Sequence, residues 1–128
     1  MWVVNGQEQV VAIFEPFAPD VVLLWFDGPK TFTLQRDSGS VYLAHWCVGD
    51  DSTDRYLIVP IADGDLEEVQ TGRISLRNLL VNASRHYIVD VNNDESVRNV
   101  WRIAKILDIP NEVLPSPDAR LPFSATRL

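Results

Sequence analysis

The sequence predicts an α+β fold in which an antiparallel β-meander of five to six strands is covered on one face by a C-terminal amphipathic helix. Two short helices are expected as an insertion at about 65–82. Three observations predict this fold. Short β-branched and aromatic runs alternate with turn signals through about the first sixty residues. The apolar spacing becomes helical at residues 63–82, and residues 95–107 carry the clearest helical pattern in the chain.

The first half of the chain is predicted to form strands. Residues 9–14 and 21–26 are the first two, and the second is apolar on both faces, so we expect it at the centre of the sheet. In residues 31–35 apolar and polar side chains alternate. Phe32 and Leu34 should therefore face the core, while the threonines between them face outward.

The next three strands follow from turn signals. Asp37-Ser38-Gly39 predicts a hairpin turn because glycine tolerates the positive φ that tight connections require. Residues 41–47 and 56–61 are predicted to be antiparallel neighbours joined by a polar loop at residues 49–54. Pro60 lacks a backbone N–H, so this strand should end there or lie at an edge of the sheet.

Two short helices are predicted after these strands. Asp65 is a suitable N-cap for a helix that runs to Gln70, and Gly72 is a suitable residue to end it. Ser75 can cap a second helix at residues 76–81, whose leucines fall on one side.

A strand at residues 86–91 is followed by the predicted C-terminal helix, residues 95–107, capped by Asn93 or Asp94. On a helical wheel one broad face is apolar, comprising Val97, Val100, Trp101, Ala104 and Leu107. The opposite stripe is basic and comprises Arg98, Arg102 and Lys105. We expect the apolar face to pack on the sheet.

The length of 128 residues is that of a single domain with one core. We place this domain at residues 1–109. Residues 110–128 contain four prolines with little periodicity and are predicted to be an extended tail, in which Leu121 and Phe123 can dock.

The charge is uneven. The formal net charge is −7; residues 1–72 carry twelve acidic and three basic residues, whereas residues 73–128 carry six acidic and eight basic ones. Nucleic-acid binding needs clustered basic residues, so this balance argues against it and suits a basic protein partner. The candidate partner-binding residues are Asp50, Asp51, Asp54, Asp63, Asp65, Glu67, Glu68 and Trp2. Three other tryptophans lie on predicted core faces, namely Trp25, Trp46 and Trp101.

No catalytic residue is predicted. His86 and Asp90 share a predicted strand face, and with Ser75 or Ser84 they could make a Ser-His-Asp assembly, but the chain contains no nucleophile elbow or other catalytic motif. His45 and His86 are expected to be structural or surface histidines.

No metal or cofactor is expected. Residues 90–94 resemble the start of a calcium loop, but Glu95 stands where that loop needs glycine and Trp101 where it needs glutamate. Helix capping explains these residues better. The acidic residues of the 49–54 loop are explained by its exposure to solvent.

A cytoplasmic location is expected. The longest apolar run is shorter than the ~20 residues that cross a bilayer, and residues 1–14 lack the pattern of a signal peptide. Cys47 is the only cysteine, and it lies in an apolar run where a free cysteine usually behaves as a small buried hydrophobe.

Several motifs resemble an uncharacterised family of small bacterial and phage-associated domains of unknown function. They are the Asp27-Gly28-Pro29 turn after an apolar strand, Tyr42-Leu43, the strand Tyr56-Leu57-Ile58-Val59-Pro60-Ile61, and Gly72-Arg73-Ile74-Ser75-Leu76-Arg77 at a helix start. The resemblance covers about residues 20–82. It implies the meander and a bacterial or phage setting, and it carries no activity or ligand.

Two functions from different classes remain open, with nucleic-acid mimicry as a third possibility if the acidic residues share one face. The leading hypothesis is a non-enzymatic protein-interaction module that uses an exposed sheet edge or the acidic hairpin face, for example an immunity protein, an anti-defence inhibitor or an accessory subunit. An exposed edge would also permit a homodimer. The alternative is a small anionic-ligand binder or enzyme, because Arg73, Arg77 and Arg85 gather near His86.

Overall fold

The computed structural model describes residues 1–36, 39–118 and 120. Within them the chain forms one antiparallel sheet of seven strands and two short α-helices. The strands are β1 (Gly6–Glu8), β2 (Val22–Trp25), β3 (Pro29–Gln35), β4 (Val41–Gly49), β5 (Thr53–Ile61), β6 (His86–Asn92) and β7 (Val97–Ile103). The helices are α1 (Asp65–Gln70) and α2 (Leu76–Val81), and a 3₁₀ helix spans Val11–Phe14.

The strand order is β1-β7-β6-β5-β4-β3-β2. Strands β2 to β7 form a continuous meander, and β1 adds to it by pairing with β7. Because consecutive strands are antiparallel, the β2–β3, β4–β5 and β6–β7 turns all lie at the same end of the sheet. The helical connection between β5 and β6 lies at the opposite end.

Both faces of the sheet are covered. On the first face, buried residues of the central strands pack with Val69 of α1 and Leu76, Leu79 and Leu80 of α2. On the second face, Phe14 and Phe17 from the segment before β2 cover the aromatic and aliphatic side chains of β3 to β7.

The burial of both faces explains why the predicted outward orientation of the threonines is wrong. Phe32 and Leu34 are buried as expected, but Thr31 and Thr33 are buried on the opposite face. Each threonine hydroxyl has a partner there. Thr31 Oγ1 lies 2.8 Å from His45 Nδ1, and Thr33 Oγ1 accepts a hydrogen bond of 2.9 Å from the Val21 amide.

The predicted α+β class, with five to six strands under a C-terminal helix, is wrong, because the residues assigned to that helix form β7. The physical reason is a bulge. The register of β6 and β7 shifts between Asp90 and Val91, because Val91 lies opposite Val97 and β7 has one more residue than β6 at this point. The extra residue lets Val97 and Val100, three apart, pack into the same core cluster. In a bulged strand two apolar residues three apart can lie on the same face, as they do in a helix, so this spacing does not distinguish the two. The fold is mainly β.

Two strand predictions near the N-terminus are also wrong. The apolar run at residues 21–26 forms the edge strand β2 rather than a central strand, and Phe26 at its end is 77% exposed. The predicted strand at residues 9–14 contains the 3₁₀ helix Val11–Phe14, while the strand itself lies earlier, at β1. Continuous apolar runs do not distinguish central strands from edge strands, because both require apolar contacts.

The two predicted short helices are confirmed as α1 and α2, but the prediction that Asp65 caps α1 is wrong, and β5 is a central strand that continues past Pro60 to Ile61. Helix α1 ends before Gly72, which has φ +77°, and the Ser75 side chain caps α2 by accepting a hydrogen bond from the Asn78 amide. The cap of α1 is Gly64, and the Asp65 carboxylate instead accepts a hydrogen bond of 2.7 Å from the Ala62 amide. Pro60 lies beyond Ile58, the last β5 residue that pairs with β6, so its missing N–H removes no bond to that strand.

The division at residues 109 and 110 stays a prediction. Ile109 is buried in the first face, and the Pro115 carbonyl oxygen accepts a hydrogen bond of 3.1 Å from Arg77. Asp37 and Ser38 of the predicted turn, and Leu121 and Phe123 of the tail, lie outside the described residues. Within the described ranges, no helix combines the length and apolar character needed to cross a membrane.

Candidate functional site

Six carboxylates gather at the end of the sheet that carries the β2–β3, β4–β5 and β6–β7 turns. We call this group the acidic end, and it consists of Asp27, Asp50, Asp51, Asp54, Asp94 and Glu95. Two of these residues, Asp27 and Glu95, have positive φ angles of 53° and 70°. Such angles are uncommon for residues other than glycine and are found at tight turns.

Local hydrogen bonds hold the turn carboxylates in their charged form. Asp50 Oδ1 accepts bonds of 2.9 Å from the amides of Ser52 and Thr53, and these bonds lower the pKa of Asp50. Asp94 accepts hydrogen bonds from the Ser96 hydroxyl and amide, which lower the pKa of Asp94 in the same way. The acidic end is thus negatively charged at neutral pH.

Two hydrogen bonds connect the β4–β5 turn to the β6–β7 turn. The Asn93 amide donates to the Ser52 carbonyl oxygen at 3.2 Å, and the Asn93 side chain donates to the Asp51 carbonyl oxygen at 2.6 Å. The carboxylates of the β4–β5 and β6–β7 turns are therefore held at a fixed separation.

A cavity of about 250 Å³ opens behind these turns on the second face of the sheet. We call it the tyrosine pocket, and its principal lining residues are Phe17, Phe32, Tyr56, Asp27, Asp54 and Glu95. The Phe17 ring packs against both other rings, with centroids 5.6 Å from Phe32 and 4.8 Å from Tyr56. The pocket thus combines aromatic residues with acidic residues from the β2–β3 turn, from β5 and from the β6–β7 turn.

Tyr56 lines this pocket. Tyr56 is 9% exposed, and its hydroxyl has no hydrogen-bond partner among the described residues. All fully enclosed side-chain polar atoms in the described ranges have partners, so the Tyr56 hydroxyl oxygen is accessible to solvent. Burial, with the nearby charges of Asp54 and Glu95, raises the pKa of Tyr56 to about 12.

The Asp54 carboxylate is positioned by its neighbours. Trp46 Nε1 donates to Asp54 Oδ1 at 3.0 Å. A Cβ atom at Gly49 would lie 2.1 Å from the same oxygen, so a larger residue at this position would displace the Asp54 carboxylate. Lys30 also lines the pocket, and its Nζ atom lies over the Trp46 ring, 4.5 Å from the centroid.

Exposed apolar side chains adjoin the acidic end at the β2 edge. Trp25 is 46% exposed and Phe26 is 77% exposed, and both immediately precede Asp27. The prediction that Trp25 lies in the core is therefore wrong. Strand β2 pairs with β3 on one side, and its other side has no strand partner within the described residues.

The predicted partner-binding residues fall into two separate groups. Asp50, Asp51 and Asp54 belong to the acidic end, whereas the remaining four carboxylates follow the other end of β5. These four are Asp63, Asp65, Glu67 and Glu68. Strand β5 has nine residues, and at about 3.3 Å per residue its ends lie roughly 26 Å apart. The single acidic face that nucleic-acid mimicry requires is not formed by these seven residues.

Trp2 packs inside the protein surface. Its ring lies 4.6 Å from the Arg55 guanidinium carbon, and its carbonyl oxygen accepts a hydrogen bond from Arg55. Arg55 also forms a two-bond ion pair with Asp90, at 2.7 and 2.9 Å. A role for Trp2 in partner binding stays a prediction.

The structure separates the residues of the imagined catalytic assembly. Asp90 is paired with Arg55, and His86 Nε2 donates to the Leu80 carbonyl oxygen at 2.7 Å. Ser75 caps α2. His45 is buried, which lowers its pKa to about 4. Among the described residues, no three His, Cys, Asp or Glu side chains are arranged to hold a metal ion.

The basic residues near His86 separate in the same way. Arg73 pairs with Glu68 at 3.2 Å, and Arg77 binds Asn111 and the Pro115 carbonyl oxygen. Arg85 instead joins Arg102 in a cleft of about 340 Å³, at the end of the sheet opposite the acidic end. We call it the arginine cleft, and its other principal lining residues are Gly6, Gln7, Ser84 and His86.

Sequence reasoning missed the principal residues of the tyrosine pocket. Asp27 and Glu95 were assigned to a turn and a helix, and Phe17 and Tyr56 carried no signal beyond burial. Only the strand register brings these residues together.

The model of a family of unknown function, DUF6575, matches residues 6–118. The chain therefore belongs to this family, which confirms the expected resemblance to an uncharacterised family. Neither the curated proteins nor the solved structures include a match to the chain.

Proposed function

We propose that this member of the DUF6575 family is a non-enzymatic interaction module, which binds a basic protein partner at the acidic end and along the adjoining β2 edge. The observation that carries the proposal is the exposure of Trp25, the last residue of the edge strand β2, and of Phe26 after it, at the end of the sheet that carries the six carboxylates. We place the module in a bacterial or phage setting, where it would serve as an immunity protein, an anti-defence inhibitor or an accessory subunit.

The β2 edge has the features of a strand-addition site. An unpaired edge offers backbone donors and acceptors to an extended segment of another protein, and neighbouring side chains give specificity. Tryptophan and other aromatic side chains are enriched where binding energy concentrates. By contrast, β1 at the opposite edge is three residues long and carries no large apolar side chain.

The charge of the acidic end supports a basic partner. The formal net charge is −7, and six carboxylates lie at the end of the sheet where β2 ends. Complementary charge accelerates encounter and rejects partners of like charge.

Affinity capture with matched variants tests the proposal. The double variant Trp25→Ala/Phe26→Ala is compared with Leu107→Ala, which removes a side chain that is 89% exposed and distant from β2 in sequence. Bacterial lysates are applied at low and moderate salt. We expect basic proteins retained by the parent chain and by Leu107→Ala to be lost with the double variant. Equal recovery by all three chains, or no recovery at low salt, would contradict the proposal.

The oligomeric state provides the second test. If β2 bound another copy of the chain, light scattering would show a dimer that Trp25→Ala/Phe26→Ala converts to a monomer. That result would assign the edge to self-association and overturn the proposal of a basic partner.

A specific observation favours a second candidate function, the binding of a small anion in the arginine cleft. Arg85 and Arg102 both line this cleft, and neither guanidinium group forms a hydrogen bond or ion pair with the described residues. Unpaired guanidinium groups in a cleft suit phosphate or carboxylate.

Thermal unfolding with inorganic phosphate and nucleotides tests this second function. A ligand present at 100 times its Kd adds about 2.7 kcal/mol to stability. We expect the stabilisation to disappear in Arg85→Ala/Arg102→Ala and to persist in Arg73→Ala, whose side chain pairs with Glu68 instead. The absence of stabilisation in the parent chain would remove this candidate.

A further inference from the structure

We propose that the tyrosine pocket receives a lysine or arginine side chain of the basic partner. This inference rests on the proposed function, and it names the chemical group that the acidic end recognises. The pocket is formed by three separate parts of the sheet, since Asp27 comes from the β2–β3 turn, Asp54 from β5 and Glu95 from the β6–β7 turn.

The walls of the pocket suit the aliphatic part and the charge of such a side chain. The rings of Phe17, Phe32 and Tyr56 form a contiguous aromatic cluster with centroids 4.8 to 5.6 Å apart. The three residues are 1 to 9% exposed, so the ring surface that lines the pocket is a narrow contact for a cation and for the methylene groups of lysine or arginine. A volume of about 250 Å³ is enough for one such side chain and does not require the sheet to open.

The Tyr56 hydroxyl adds a polar group to the lining of the pocket. Tyr56 is 9% exposed, and its hydroxyl oxygen is accessible to solvent and has no hydrogen-bond partner among the described residues. An accessible hydroxyl of this kind can exchange a water molecule for a donor group of a ligand. An ammonium or guanidinium group supplies that donor.

The cation within the pocket does not neutralise the carboxylates. Lys30 stacks on the Trp46 ring and forms no ion pair with a described carboxylate. The lining therefore carries three acidic side chains, Asp27, Asp54 and Glu95, against one basic side chain. An anionic ligand would be repelled, while a cation gains from both carboxylates and rings.

The pocket also adjoins the β2 edge. Asp27 lines the pocket, and it directly follows Trp25 and Phe26, the two exposed apolar residues of that edge. A partner strand added to β2 would thus bring the side chains near its end to the mouth of the pocket. The same partner can occupy both features.

NMR titration with small probes tests the pocket without any partner. The probes are N-acetyl-lysine N-methylamide and N-acetyl-arginine N-methylamide, and the control is the uncharged N-acetyl-norleucine N-methylamide. We expect saturable amide shifts in β5 and in the β2–β3 and β6–β7 turns with at least one charged probe, and none with the control. Equal shifts with the control, or shifts confined to other residues, would overturn the inference.

Three variants assign the interaction to named groups. We expect Asp54→Asn/Glu95→Gln to weaken probe binding about tenfold, which corresponds to about 1.4 kcal/mol. Tyr56→Phe removes the hydroxyl alone and should weaken binding by a smaller factor, whereas Glu67→Gln at the opposite end should leave it unchanged. An unchanged amide spectrum confirms that each variant is folded. Unchanged binding in the folded double variant would contradict the inference.

The two proposals fail separately. Probe binding without any effect of Trp25→Ala/Phe26→Ala on partner capture would retain the cation pocket and remove the proposed function at the β2 edge. If that variant loses partner capture but the parent chain binds no probe, the proposed function at the β2 edge stands and the proposed cation pocket is refuted.

Discussion

Arg55 links three parts of the molecule through a single side chain. Its guanidinium group forms two hydrogen bonds to Asp90 on β6, one to the Trp2 carbonyl oxygen, and lies near the rings of Trp2 and Trp101. Both charged residues are buried. A buried ion pair contributes little over apolar residues of the same size, but removing one partner leaves an unpaired charge.

Arg55→Ala therefore tests the pair. The variant leaves Asp90 buried without its partner, and we expect a loss of about 3–5 kcal/mol in the free energy of unfolding. Arg73→Ala is the matched control, because the exposed Arg73–Glu68 pair should contribute about 0–1 kcal/mol at most. Urea denaturation measures both values. Equal losses in the two variants would contradict the claim that removing one partner costs more free energy in a buried ion pair than in an exposed one.

His45 predicts a pH dependence of stability. Burial lowers the pKa of His45 from 6.5 to about 4, so between these values the unfolded chain binds a proton that the folded chain does not. Above pH 6.5, His45 is neutral in both states and does not reduce the free energy of unfolding. As the pH falls from 6.5 towards 4, the free energy of unfolding decreases.

The expected loss between pH 6.5 and 5 is about 1.6 kcal/mol, because the slope rises from about half of 1.36 kcal/mol per pH unit at pH 6.5, where the unfolded histidine is half protonated, towards the full value at pH 5. His45→Gln cannot titrate and keeps a group that can bond to Thr31. Urea denaturation at the two pH values should therefore show a smaller loss in this variant, the difference being the contribution of His45. Parallel losses in the parent and the variant would refute the explanation.

At the scale of secondary-structure elements, the sequence signals that predict helix ends correctly are those that depend only on a few neighbouring residues. Ser75 caps α2 and Gly72 follows the end of α1 because the necessary bond or φ angle lies within a few residues. The apolar spacing of Val97 and Val100 fits a helix and a bulged strand equally well. Pairing with β6 and β1 decides between them, and the sequence does not state that pairing.

The attachment of β1 gives a prediction for one element. A Cβ atom at Gly6 would lie 2.8 Å from the Arg102 carbonyl oxygen, which belongs to the backbone of β7 and cannot easily move. Gly6→Ala should therefore detach β1, and amide exchange in Gly6–Glu8 and on the facing side of β7 should accelerate. Gln7→Ala, in the same strand, keeps the pairing and is the control. Unchanged exchange in Gly6→Ala would contradict this packing.

At the scale of the whole molecule, the acidic end and the arginine cleft lie at opposite ends of the sheet, and the four carboxylates Asp63, Asp65, Glu67 and Glu68 follow the end that carries the cleft. The acidic end carries the turn carboxylates, while Arg85 and Arg102 lie at the opposite end. The sequence predicts that the N-terminal part is acidic, and three residues of the acidic end were identified from it. It does not predict which turns share an end, because that depends on strand number and on the position of β7.

This separation predicts an effect of charge position at constant net charge. Asp50→Asn/Asp51→Asn and Asp63→Asn/Glu67→Gln each change the formal net charge from −7 to −5. The two sites are separated by more than the Debye length of about 8 Å at physiological salt, so they act independently. We expect the first variant to slow association with the captured partner about threefold or more at low salt, and the second to have little effect. Equal association rates in surface plasmon resonance would contradict the claim that the acidic end accelerates association with the partner.

Hydrogen exchange of the chain, alone and with its captured partner, tests the binding surface most directly. We predict slower amide exchange on binding in β2, in the β2–β3 turn and in the β6–β7 turn, where an added strand and a bound cation would exclude water. Exchange in β1 and around Arg85 should not change. Protection confined to β1 and the arginine cleft, with β2 exchanging as in the free chain, would contradict the account.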